Sequence, residues 1–357
     1  LLPTTTMPDT TTTTTAAPVR IGVLHGAGYV GGELIRLLAG HPTASLGAVT
    51  SRTFAGEPIA EAHPSLRGQV DLPFTAPDAL TLSDLDAVVV AGEHGQSMDL
   101  VPSLLDTGLD GPIVDLSADF RFRDAAVYPE WFDVTHPAPD LLTEAAYGLP
   151  ELDDGIGEAA LIANPGCYAT GITLALAPLA AQDVPLTAHV TALTGASGSG
   201  ATPSAATHYP TRDGNVRPYK VLAHQHTPEI TQSLGPQVTL RFVPASGPWT
   251  RGIWGTVQVD WPAPLNAATV TDWFTDAYGT APLVRTTAGS LPALQPVVRT
   301  PFCDLGWQVQ DDTLVVGFAL DNLLKGAASQ AIQNLNRALD RPEAAGLLVG
   351  TAQAPAS

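Results

Sequence analysis

The stretch VRIGVLHGAGYVGGELIRLLAG, residues 19–40, combines a short apolar run, a glycine-rich turn and a segment with helical spacing. The run VRIGVL predicts a buried strand, and the apolar positions of GELIRLLAG predict a helix. The turn between them places Gly26, Gly28 and Gly31 in the order G-x-G-x-x-G. Such glycines let the backbone approach a pyrophosphate, whose charge then lies at the N-terminus of the helix. A turn of this kind can also form without a ligand, so its neighbours must be considered.

A second strand, ASLGAVTSR at residues 44–52, ends about where dinucleotide-binding folds contact the adenosine ribose. No carboxylate lies there to bind the 2′-hydroxyl of NAD, whereas Ser51 and Arg52 offer a hydroxyl and a cation suited to a 2′-phosphate. This favours NADP as the cofactor. The alternative is that Arg52 is a solvated loop charge.

Further strands are predicted at residues 85–92 and 111–118, with a helix between them at residues 97–108. Strands that alternate with helices in this way form a doubly wound parallel sheet with helices on both faces. The predicted fold class is therefore α/β, with a Rossmann-like sheet in the first part of the chain.

The composition of the chain favours small-molecule chemistry. Its 357 residues exceed one average domain, and its formal charge of −19 argues against a nucleic-acid partner, which requires a field of Lys and Arg. No apolar run reaches the length of a membrane span. The two cysteines suit a reducing compartment, so a cytoplasmic location is expected. The Thr-rich residues 1–17 lack the apolar core of a signal peptide, and we expect them to be disordered.

Cys167 follows Asn-Pro-Gly and precedes ATGITLALAPL, which is apolar enough to form a buried helix. A thiol in the first turn of a helix faces unpaired amide groups and the positive end of the helix dipole, which stabilise the thiolate. The alternative is that Cys167 is a small buried apolar residue, as free cysteines commonly are. Cys303 lacks such a turn and is expected to be structural.

The segment AHQHTPEI, residues 223–230, brings His224 and His226 to alternate positions. In an extended segment both rings would lie on one face, where one could take the proton of a nearby thiol and later supply one to an intermediate. A metal site would need a third ligand. Glu229 is available, but the pattern is not that of a zinc-binding helix, so no metal is expected.

Residues 194–220 form a long loop that begins with glycines and serines and ends with three cations, Arg212, Arg217 and Lys220. Such loops are often functional. The first part could donate amide and hydroxyl groups to a nicotinamide or an oxyanion, and the second could bind an anion, with Arg212 as a peripheral cation. A flexible surface loop is the alternative. Near the end of the chain, Asp321 is expected to cap a helix that packs back on the first domain.

Six motifs follow one another along the chain: GYVGGELIRLL, DLSADFR, YGLPEL, NPGCYAT, HQHTPEI and DNLLKGAASQA. In these motifs the chain resembles, from about Val19 to its end, the N-acetyl-gamma-glutamyl-phosphate reductases. It equally resembles their close relatives, the reductases of carrier-linked aminoadipyl phosphate, and both groups adjoin the aspartate-semialdehyde dehydrogenases. Two motifs depart from the family pattern: His25 stands at the first glycine of G-A-S-G-Y-x-G-G, and the usual PHG is Glu93-His94-Gly95.

The resemblance implies which residues act. It makes Cys167 the nucleophile and His224 and His226 the acid/base candidates, of which His224 is favoured for proton transfer. The substrate-binding residues are expected to be Arg121, which corresponds to a substrate-anion position, and Arg217. The cofactor-binding residues are expected to be Gly26, Gly28, Tyr29, Val30, Gly31, Ser51, Arg52 and, near the nicotinamide, Asn322.

The resemblance also implies the organisation of the enzyme. An NADP-binding domain is expected at residues 18–163 and 320–357. An α+β catalytic and oligomerisation domain is expected at residues 164–319. A homo-oligomer, either a dimer or a tetramer, follows from the family.

The implied reaction is the NADPH-dependent reduction of a small-molecule acyl phosphate. A thiolate attacks the carbonyl, phosphate leaves, and the thioester is reduced to a thiohemiacetal that collapses to an aldehyde. NPGCYAT and YGLPEL favour N-acetyl-gamma-glutamyl phosphate and arginine biosynthesis, which is the interpretation adopted. TSRTFAGEP, HPSLRG, HPAPDLL and HYPTRDGNVRPY favour the aminoadipyl phosphate of lysine biosynthesis, held by an acidic amino-group carrier protein. A nucleotide-binding redox sensor is the third alternative, although a sensor would need no acid/base histidine.

Overall fold

The structure is a computed structural model that describes residues 18–348. The segment expected to be disordered, residues 1–17, lies outside the described residues, and so do residues 349–357 at the end of the expected NADP-binding domain. Two sheets, joined by a buried helix, make up the described chain.

Within residues 18–348, six short strands form the first sheet: β1 (Val19–Leu24), β2 (Ala44–Val49), β3 (Ala87–Val90), β4 (Ile113–Asp115), β5 (Ala146–Tyr147) and β6 (Leu161–Ala163). Their order is β2-β1-β3-β4-β6-β5, and neighbouring strands are parallel. The connecting helices are α1 (Tyr29–Ala39), α2 (Ile59–Ala62), α3 (Ser97–Asp106), α4 (Val127–Trp131) and α5 (Leu141–Glu144). This confirms the predicted doubly wound parallel sheet.

The chain reverses its direction of winding at β1. It leaves β1 for β2 on one side of the sheet and later returns to β3 on the other side. In open α/β sheets, ligands bind at the carboxyl ends of the strands at such a switch point. The glycine-rich turn after β1 and the Gly92–Gly95 segment after β3 both lie at this edge.

Seven strands of the described chain form the second sheet: β7 (Leu186–Thr194), β8 (Arg217–Pro218), β9 (Val238–Ser246), β10 (Ile253–Asp260), β11 (Val284–Ala288), β12 (Cys303–Gln310) and β13 (Thr313–Leu320). Their order is β11-β12-β13-β10-β7-β9-β8, with both parallel and antiparallel pairs. Buried and exposed residues alternate along β7, as expected for a strand with one face against a core.

The remaining helices are α6 (Cys167–Ala180), α7 (Tyr209–Arg212), α8 (His226–Leu234), α9 (Ala267–Tyr278) and α10 (Ser329–Ala338). Nearly every residue of α6 is buried, because it packs against the second sheet, α8 and the last helical segment. That segment begins with a π-helical turn, Leu324–Ala328, which the sequence did not predict. Its apolar residues and those of α10 pack against α1 and the first sheet.

Candidate active site

A cavity of about 870 Å³ lies where the carboxyl edge of the first sheet meets the second sheet. Its walls are the turn after β1, the segment after β3, the first turn of α6, the loop 194–220, the start of α8 and the π turn. It brings together all but one of the residues predicted from the sequence: Cys167, His224, His226, Gly28, Tyr29, Val30, Gly31, Ser51, Arg52, Asn322, Arg121 and Arg217. Gly26, the exception, lies beneath the turn.

The glycines of the turn after β1 have different roles. A Cβ on Gly31 would collide with the carbonyl oxygen of Gly26, so helix α1 can pack closely on the turn only without one. Gly28 is the N-cap of α1, and nothing lies within 4 Å of the position its Cβ would take. The start of α1 therefore presents backbone amides to open space, which is the arrangement that holds a pyrophosphate.

His25, which stands at the family's first glycine, has a φ of 58°. Glycine adopts this left-handed conformation most easily, which explains why the family usually has a glycine at this position. The backbone here is held by hydrogen bonds from the His25 amide to Thr50 Oγ1 (3.1 Å) and from the Gly26 amide to the Thr50 carbonyl (2.9 Å). Burial, and then Arg52, lower the pKa of His25, so its ring is neutral at pH 7. The substitution keeps the turn and adds a ring to the cavity wall.

His63 has a structural role beneath the same turn. One of its ring nitrogens, Nε2, lies 2.7 Å from the carbonyl oxygen of Gly26. Its ring also packs so closely on Gly32 that a Cβ there would lie 2.7 Å from Nδ1.

Ser51 and Arg52 follow β2 at the edge of the cavity. Ser51 is buried, and its hydroxyl oxygen accepts a hydrogen bond from the Phe54 amide (3.2 Å). Arg52 is exposed and has no ion pair among the described residues. Its guanidinium is available to a ligand.

Cys167 is the first residue of α6, and Gly166 caps the helix without a side-chain hydrogen bond. Its thiol is half-buried and lines the cavity. Burial raises the pKa of the thiol to about 11; the Arg121 charge and the amides of Tyr168 and Cys167 act in the opposite direction, and the Glu229 charge adds to the rise. The amides of the first turn stabilise the thiolate as expected, but burial outweighs the amides and Arg121, so the pKa of the thiol lies above its ordinary value.

Glu229 organises the turn that carries Cys167, a role that the sequence did not predict. Its buried carboxylate accepts hydrogen bonds from the Gly166 amide and the Tyr147 hydroxyl, both at 2.8 Å, on Oε1. On Oε2 it accepts one from Arg121 Nη1 (3.2 Å). The one signal in the sequence is its position on the histidine segment, which suggests a metal ligand and not this role.

Arg121 lines the cavity, but its guanidinium is already engaged within the protein. Its Nε and Nη2 donate to the carbonyls of Asn164 and Leu116, each at 2.7 Å, in addition to the bond to Glu229. These bonds fix the Asn-Pro-Gly-Cys turn against the first sheet. Any contact of Arg121 with a substrate anion would add to this positioning role.

The histidine segment is not extended, so the predicted reason for the two rings to meet is wrong. Helix α8 begins at His226, and His224 lies in the turn before it. The two rings nevertheless lie 4.7 Å apart between centroids and nearly perpendicular. The turn brings them together because the His226 amide donates to His224 Nδ1 (3.1 Å).

That hydrogen bond determines where His224 carries its proton. Nδ1 must be an acceptor, so the neutral ring has its hydrogen on Nε2. Burial, and then Lys220, lower the pKa of His224 to about 4; burial, and then His224, hold the pKa of His226 well below its usual range. Both rings are therefore neutral at pH 7. His226 Nε2 lies against Gly166, the residue before the thiol, so closely that a Cβ there would collide with it.

Asn322 joins two loops at the far wall of the cavity. Its Oδ1 accepts a hydrogen bond from the Gly252 amide (2.6 Å), and its Nδ2 donates to Ser197 Oγ (3.0 Å). Directly after it, the π turn places Gly326 against the thiol residue: a Cβ on Gly326 would lie 2.8 Å from Cys167 Cβ. The predicted cap, Asp321, accepts hydrogen bonds from the Leu323 and Leu324 amides at the start of this turn.

The cations of the loop 194–220 are not equivalent. Arg217 and Lys220 are exposed at the cavity. Arg212, expected to be peripheral, is only 8% exposed and lines the cavity, so that expectation is wrong. It is buried because its guanidinium donates to backbone carbonyls of the second sheet.

The charge of the cavity is opposite to that of the chain. Among the described residues of its lining, the cationic side chains are Arg52, Arg121, Arg212, Arg217 and Lys220, whereas Glu93 is the one carboxylate. Within residues 18–348, no helix is long and apolar enough to cross a membrane, and no group of three His, Cys, Asp or Glu could hold a metal.

Comparison with known proteins agrees with this arrangement. Residues 20–156 match the semialdehyde dehydrogenase NAD-binding domain, and residues 167–322 match the semialdehyde dehydrogenase dimerisation domain. The first match supports a nicotinamide cofactor, and the second supports self-association. Aspartate semialdehyde dehydrogenase II of Vibrio cholerae, solved in complex with ASA, has a similar fold, with a TM-score of 0.70 over 91% of this chain and 99% of that one at 16% identity.

Two relatives are close in sequence. An N-acetyl-gamma-glutamyl-phosphate reductase of Methanopyrus kandleri is 42% identical over 92% of this chain and 98% of the relative. A putative [LysW]-L-2-aminoadipate 6-phosphate reductase of Thermomicrobium roseum is 39% identical over 92% of this chain and 97% of the relative. The chain therefore belongs to the N-acetyl-gamma-glutamyl-phosphate reductase family of semialdehyde dehydrogenases.

Proposed function

We propose that the protein catalyses the NADPH-dependent reduction of N-acetyl-gamma-glutamyl phosphate to N-acetylglutamate 5-semialdehyde, with release of phosphate, through a thioester on Cys167. One observation carries the proposal: the nucleotide turn, the thiol and the histidine pair line a single cavity. The choice of substrate is supported by relatives of 40–42% identity that are named for this reaction.

The residues after β1 and β2 fit a nicotinamide dinucleotide. The open amides at the start of α1 would hold its pyrophosphate, and Ser51 and Arg52 would hold the 2′-phosphate of NADP. When bound, the reduced cofactor supplies a hydride for the thioester carbon. Ser197 and Asn322 lie at the opposite wall, where they would orient the nicotinamide.

The chain's own residues prepare the thiol for attack. Cys167 and the histidine pair are neutral before reaction, because burial raises the pKa of the thiol and lowers those of both rings. As Sγ bonds to the carbonyl carbon and the carbon–oxygen bond to phosphate breaks, the thiol proton must pass to a base. We propose that His226 accepts it, because its Nε2 lies beside Gly166. His224 is favoured to hold the substrate oxygen by a hydrogen bond from its protonated Nε2, and the proton that His226 took from the thiol returns through this histidine pair to that oxygen, so that both rings end neutral.

The first turn of α6 stabilises the negative charge that develops on that oxygen. The Gly166 amide is occupied by Glu229, whereas the amides of Cys167 and Tyr168 act on the sulfur and would also reach an oxygen on the carbon bonded to it. One such donor typically contributes about 3 kcal/mol to the transition state. The cations of the lining attract an anionic acyl phosphate into a chain that is otherwise strongly acidic.

We also propose how the chain is divided. Residues 18–163 and 320–357 would form the NADP-binding domain, because the π turn and α10 pack against α1 and the first sheet. Residues 164–319 would form the catalytic domain. The protein would work in the cytoplasm as a homo-oligomer, either a dimer or a tetramer, associating through this second domain.

The reaction is tested in reverse. The protein should reduce NADP in the presence of N-acetylglutamate 5-semialdehyde and inorganic phosphate, and omission of either should stop it. Activity that is independent of phosphate, or absent with this aldehyde, would contradict the proposal. A redox sensor would show no turnover at all.

The cofactor preference is tested at Arg52. We expect Arg52→Ala to lower kcat/KM for NADP by about 10- to 100-fold, since an Arg–phosphate contact is lost, and to leave that for NAD nearly unchanged. Equal losses with both cofactors would make Arg52 a structural residue.

A second substrate is favoured by one feature, the exposed surface of residues 209–222. Beside the cavity residues Arg217 and Lys220 in sequence, this segment exposes large apolar residues: Tyr209, Val216, Val221 and Leu222. Such a surface would suit an acidic carrier protein holding aminoadipyl phosphate. In that case Lys220→Glu should slow association strongly at low salt and much less at high salt, where charges beyond about 10 Å are screened. A weak, salt-independent effect would favour the free substrate.

A further inference from the structure

Arg251 joins the two sheets beside the cavity. It lies in the loop 247–252, between β9 and β10 of the second sheet. Its Nη1 donates to Glu33 Oε1 on helix α1, and its Nε donates to Asp321 Oδ2 directly after β13 (2.6 Å). The side chain of Arg251 is only 10% exposed. Among residues 18–348, Arg251–Glu33 is the one ion pair between α1 and the second sheet.

The loop that carries Arg251 also supports the cavity wall at Ser197 and Asn322, which we call the nicotinamide wall. Three backbone carbonyls of the loop accept hydrogen bonds of 2.8–2.9 Å from the amides of residues 195–197. A Cβ on Gly195 would lie 2.4 Å from the Arg251 amide nitrogen, so the two segments are in close contact. The amide that follows Arg251 donates to Asn322 Oδ1. A shift of this loop would therefore shift the nicotinamide wall.

The other end of the ion pair lies on the helix that faces the cofactor. Helix α1 begins at Tyr29, so Glu33 lies about one turn from the amides that would hold the pyrophosphate. The pyrophosphate and the nicotinamide belong to one molecule, but the elements that would hold them belong to two sheets. Replacing a buried ion pair by apolar residues is often neutral for stability, so the retention of these charges is better explained by the geometry that they fix.

We propose that Arg251 is a positioning residue that holds the nicotinamide wall at a fixed distance from α1, so that a bound nicotinamide lies within reach of the thioester carbon on Cys167. The inference rests on the proposed function and concerns its second half-reaction. Thioester formation depends on Cys167, the histidine pair and Glu229, and Arg251 forms no hydrogen bond with any of them within the described residues. Arg251 should therefore act on hydride transfer and not on acyl transfer.

Arg251→Met separates the two half-reactions, because it removes the charge and keeps most of the length of the side chain. Phosphate release from N-acetyl-gamma-glutamyl phosphate without NADPH measures acyl transfer alone, and its burst rate should stay within about threefold of the wild type. Single-turnover oxidation of NADPH by the acyl-enzyme should slow about 100-fold, as a misplacement of about 1 Å can cause. Calorimetry should give a dissociation constant for NADPH within about threefold of the wild-type value, since Arg52 and the open amides are unchanged.

The variant is expected to keep the π turn that packs against Cys167. Without Arg251, Asp321 still accepts hydrogen bonds from the amides of Arg299, Leu323 and Leu324. Equal slowing of the phosphate burst and of hydride transfer would overturn the proposal, because Arg251 would then support the site as a whole. Unchanged hydride transfer would overturn it as well.

Arg36→Met is the matched control. Arg36 donates to the same carboxylate of Glu33 through Nε and Nη2, at 2.8 and 2.7 Å, but it lies on α1 itself and its side chain is 45% exposed. Both half-reactions should stay within about twofold of the wild type, since an exposed pair within one helix contributes little. A loss of hydride transfer as large as that of Arg251→Met would contradict the proposal, because the link between the sheets would then not matter.

The contact itself is tested from its other end. Glu33→Gln should slow hydride transfer about tenfold, and adding it to Arg251→Met should cause no further loss, because the same contact is already absent. Losses that multiply would contradict a shared role. Arg251→Lys should recover part of the rate, because it keeps the charge without the fork. Should Arg251→Met fail to fold, Arg251→Lys and Glu33→Gln answer the same question. Failure of the proposed function would appear differently, as a wild type that releases no phosphate burst and oxidises no NADPH.

Discussion

The surroundings of the two cysteines both raise the pKa of the thiol, but they differ in whether a substrate and a base can reach the sulfur. Cys167 begins helix α6, is half-buried and lines a cavity that also holds Arg121 and the histidine pair. Cys303 begins strand β12 and lies fully buried in the core of the second sheet, outside the lining of the active-site cavity. Burial raises the pKa of both thiols.

The comparison shows that a low pKa is not what distinguishes the reactive thiol. Cys167 differs from Cys303 in access for a substrate, in backbone amides directed at the sulfur and in neutral imidazoles that can take its proton. In this arrangement the thiol stays protonated until the substrate arrives, and deprotonation accompanies attack. The regions around the two thiols therefore respond differently to the same substitutions.

The largest effect is expected for Cys167→Ser. A hydroxyl cannot replace the thiolate as a nucleophile at neutral pH, so we expect a loss of at least about 10⁴-fold in kcat. The melting temperature and NADP binding should be retained, since Cys167 takes part in none of the hydrogen bonds found for the turn after β1 in residues 18–348. Substantial turnover by the variant in the reverse assay would contradict the covalent mechanism.

The second-largest effect is expected at Glu229, whose carboxylate holds the turn before Cys167 by hydrogen bonds. Glu229→Gln leaves Arg121 buried without a counter-ion and weakens the acceptor for the Gly166 amide. We expect a loss of about 3–5 kcal/mol in stability and roughly 100-fold in kcat of the folded fraction. Glu343→Gln, which removes one of the two carboxylate partners of Arg337 at a less buried ion pair, is the control and should cost at most about 1 kcal/mol. Equal effects of the two changes would show that Glu229 has no special role.

The pH dependence of alkylation distinguishes the two thiols directly. With a pKa near 11, Cys167 should react with iodoacetamide about tenfold faster for each pH unit between 7 and 9, because the thiolate fraction rises in that proportion. Cys303 should remain unmodified in the folded protein. A reaction rate for Cys167 that is already constant at neutral pH would mean that the helix N-terminus prevails over burial after all.

The smallest effect is expected for Cys303→Ser. The hydroxyl would be buried in the core next to β13, at a cost of about 1–3 kcal/mol in stability. Activity at a temperature where the variant is folded should stay within about twofold of the wild type. A large loss of kcat would give Cys303 a role that its strand position does not suggest.

The apolar spacing and the glycine-rich turn predicted the first strand and helix, because both depend on residues close together in the sequence. The apolar run of β1 has the predicted bounds, and α1 begins at Tyr29, three residues earlier than its apolar spacing indicates, because Gly28 serves as N-cap. The histidine segment is helical from His226 onward and not extended as predicted. Pro228 in the first turn of α8 was the local signal for a helix start, since proline is tolerated there.

Long-range contacts could not be predicted in the same way. Glu229 meets Gly166 across 63 positions of sequence and Arg121 across 108, so neither contact follows from any local spacing. The burial of Arg212 depends on carbonyls at the ends of two strands that meet only in the folded sheet. The raised pKa of Cys167 has the same origin, because desolvation depends on what the rest of the chain packs around the thiol.

The covalent intermediate is the most direct test of the account. The protein should be mixed with N-acetyl-gamma-glutamyl phosphate in the absence of NADPH, with phosphate release and intact mass measured together. We predict a burst of one phosphate per subunit and an N-acetylglutamyl adduct, labile to hydroxylamine, on the wild type and on Cys303→Ser but not on Cys167→Ser. Absence of the burst from the wild type, or an adduct that persists in Cys167→Ser, would contradict the central claim that Cys167 forms the thioester.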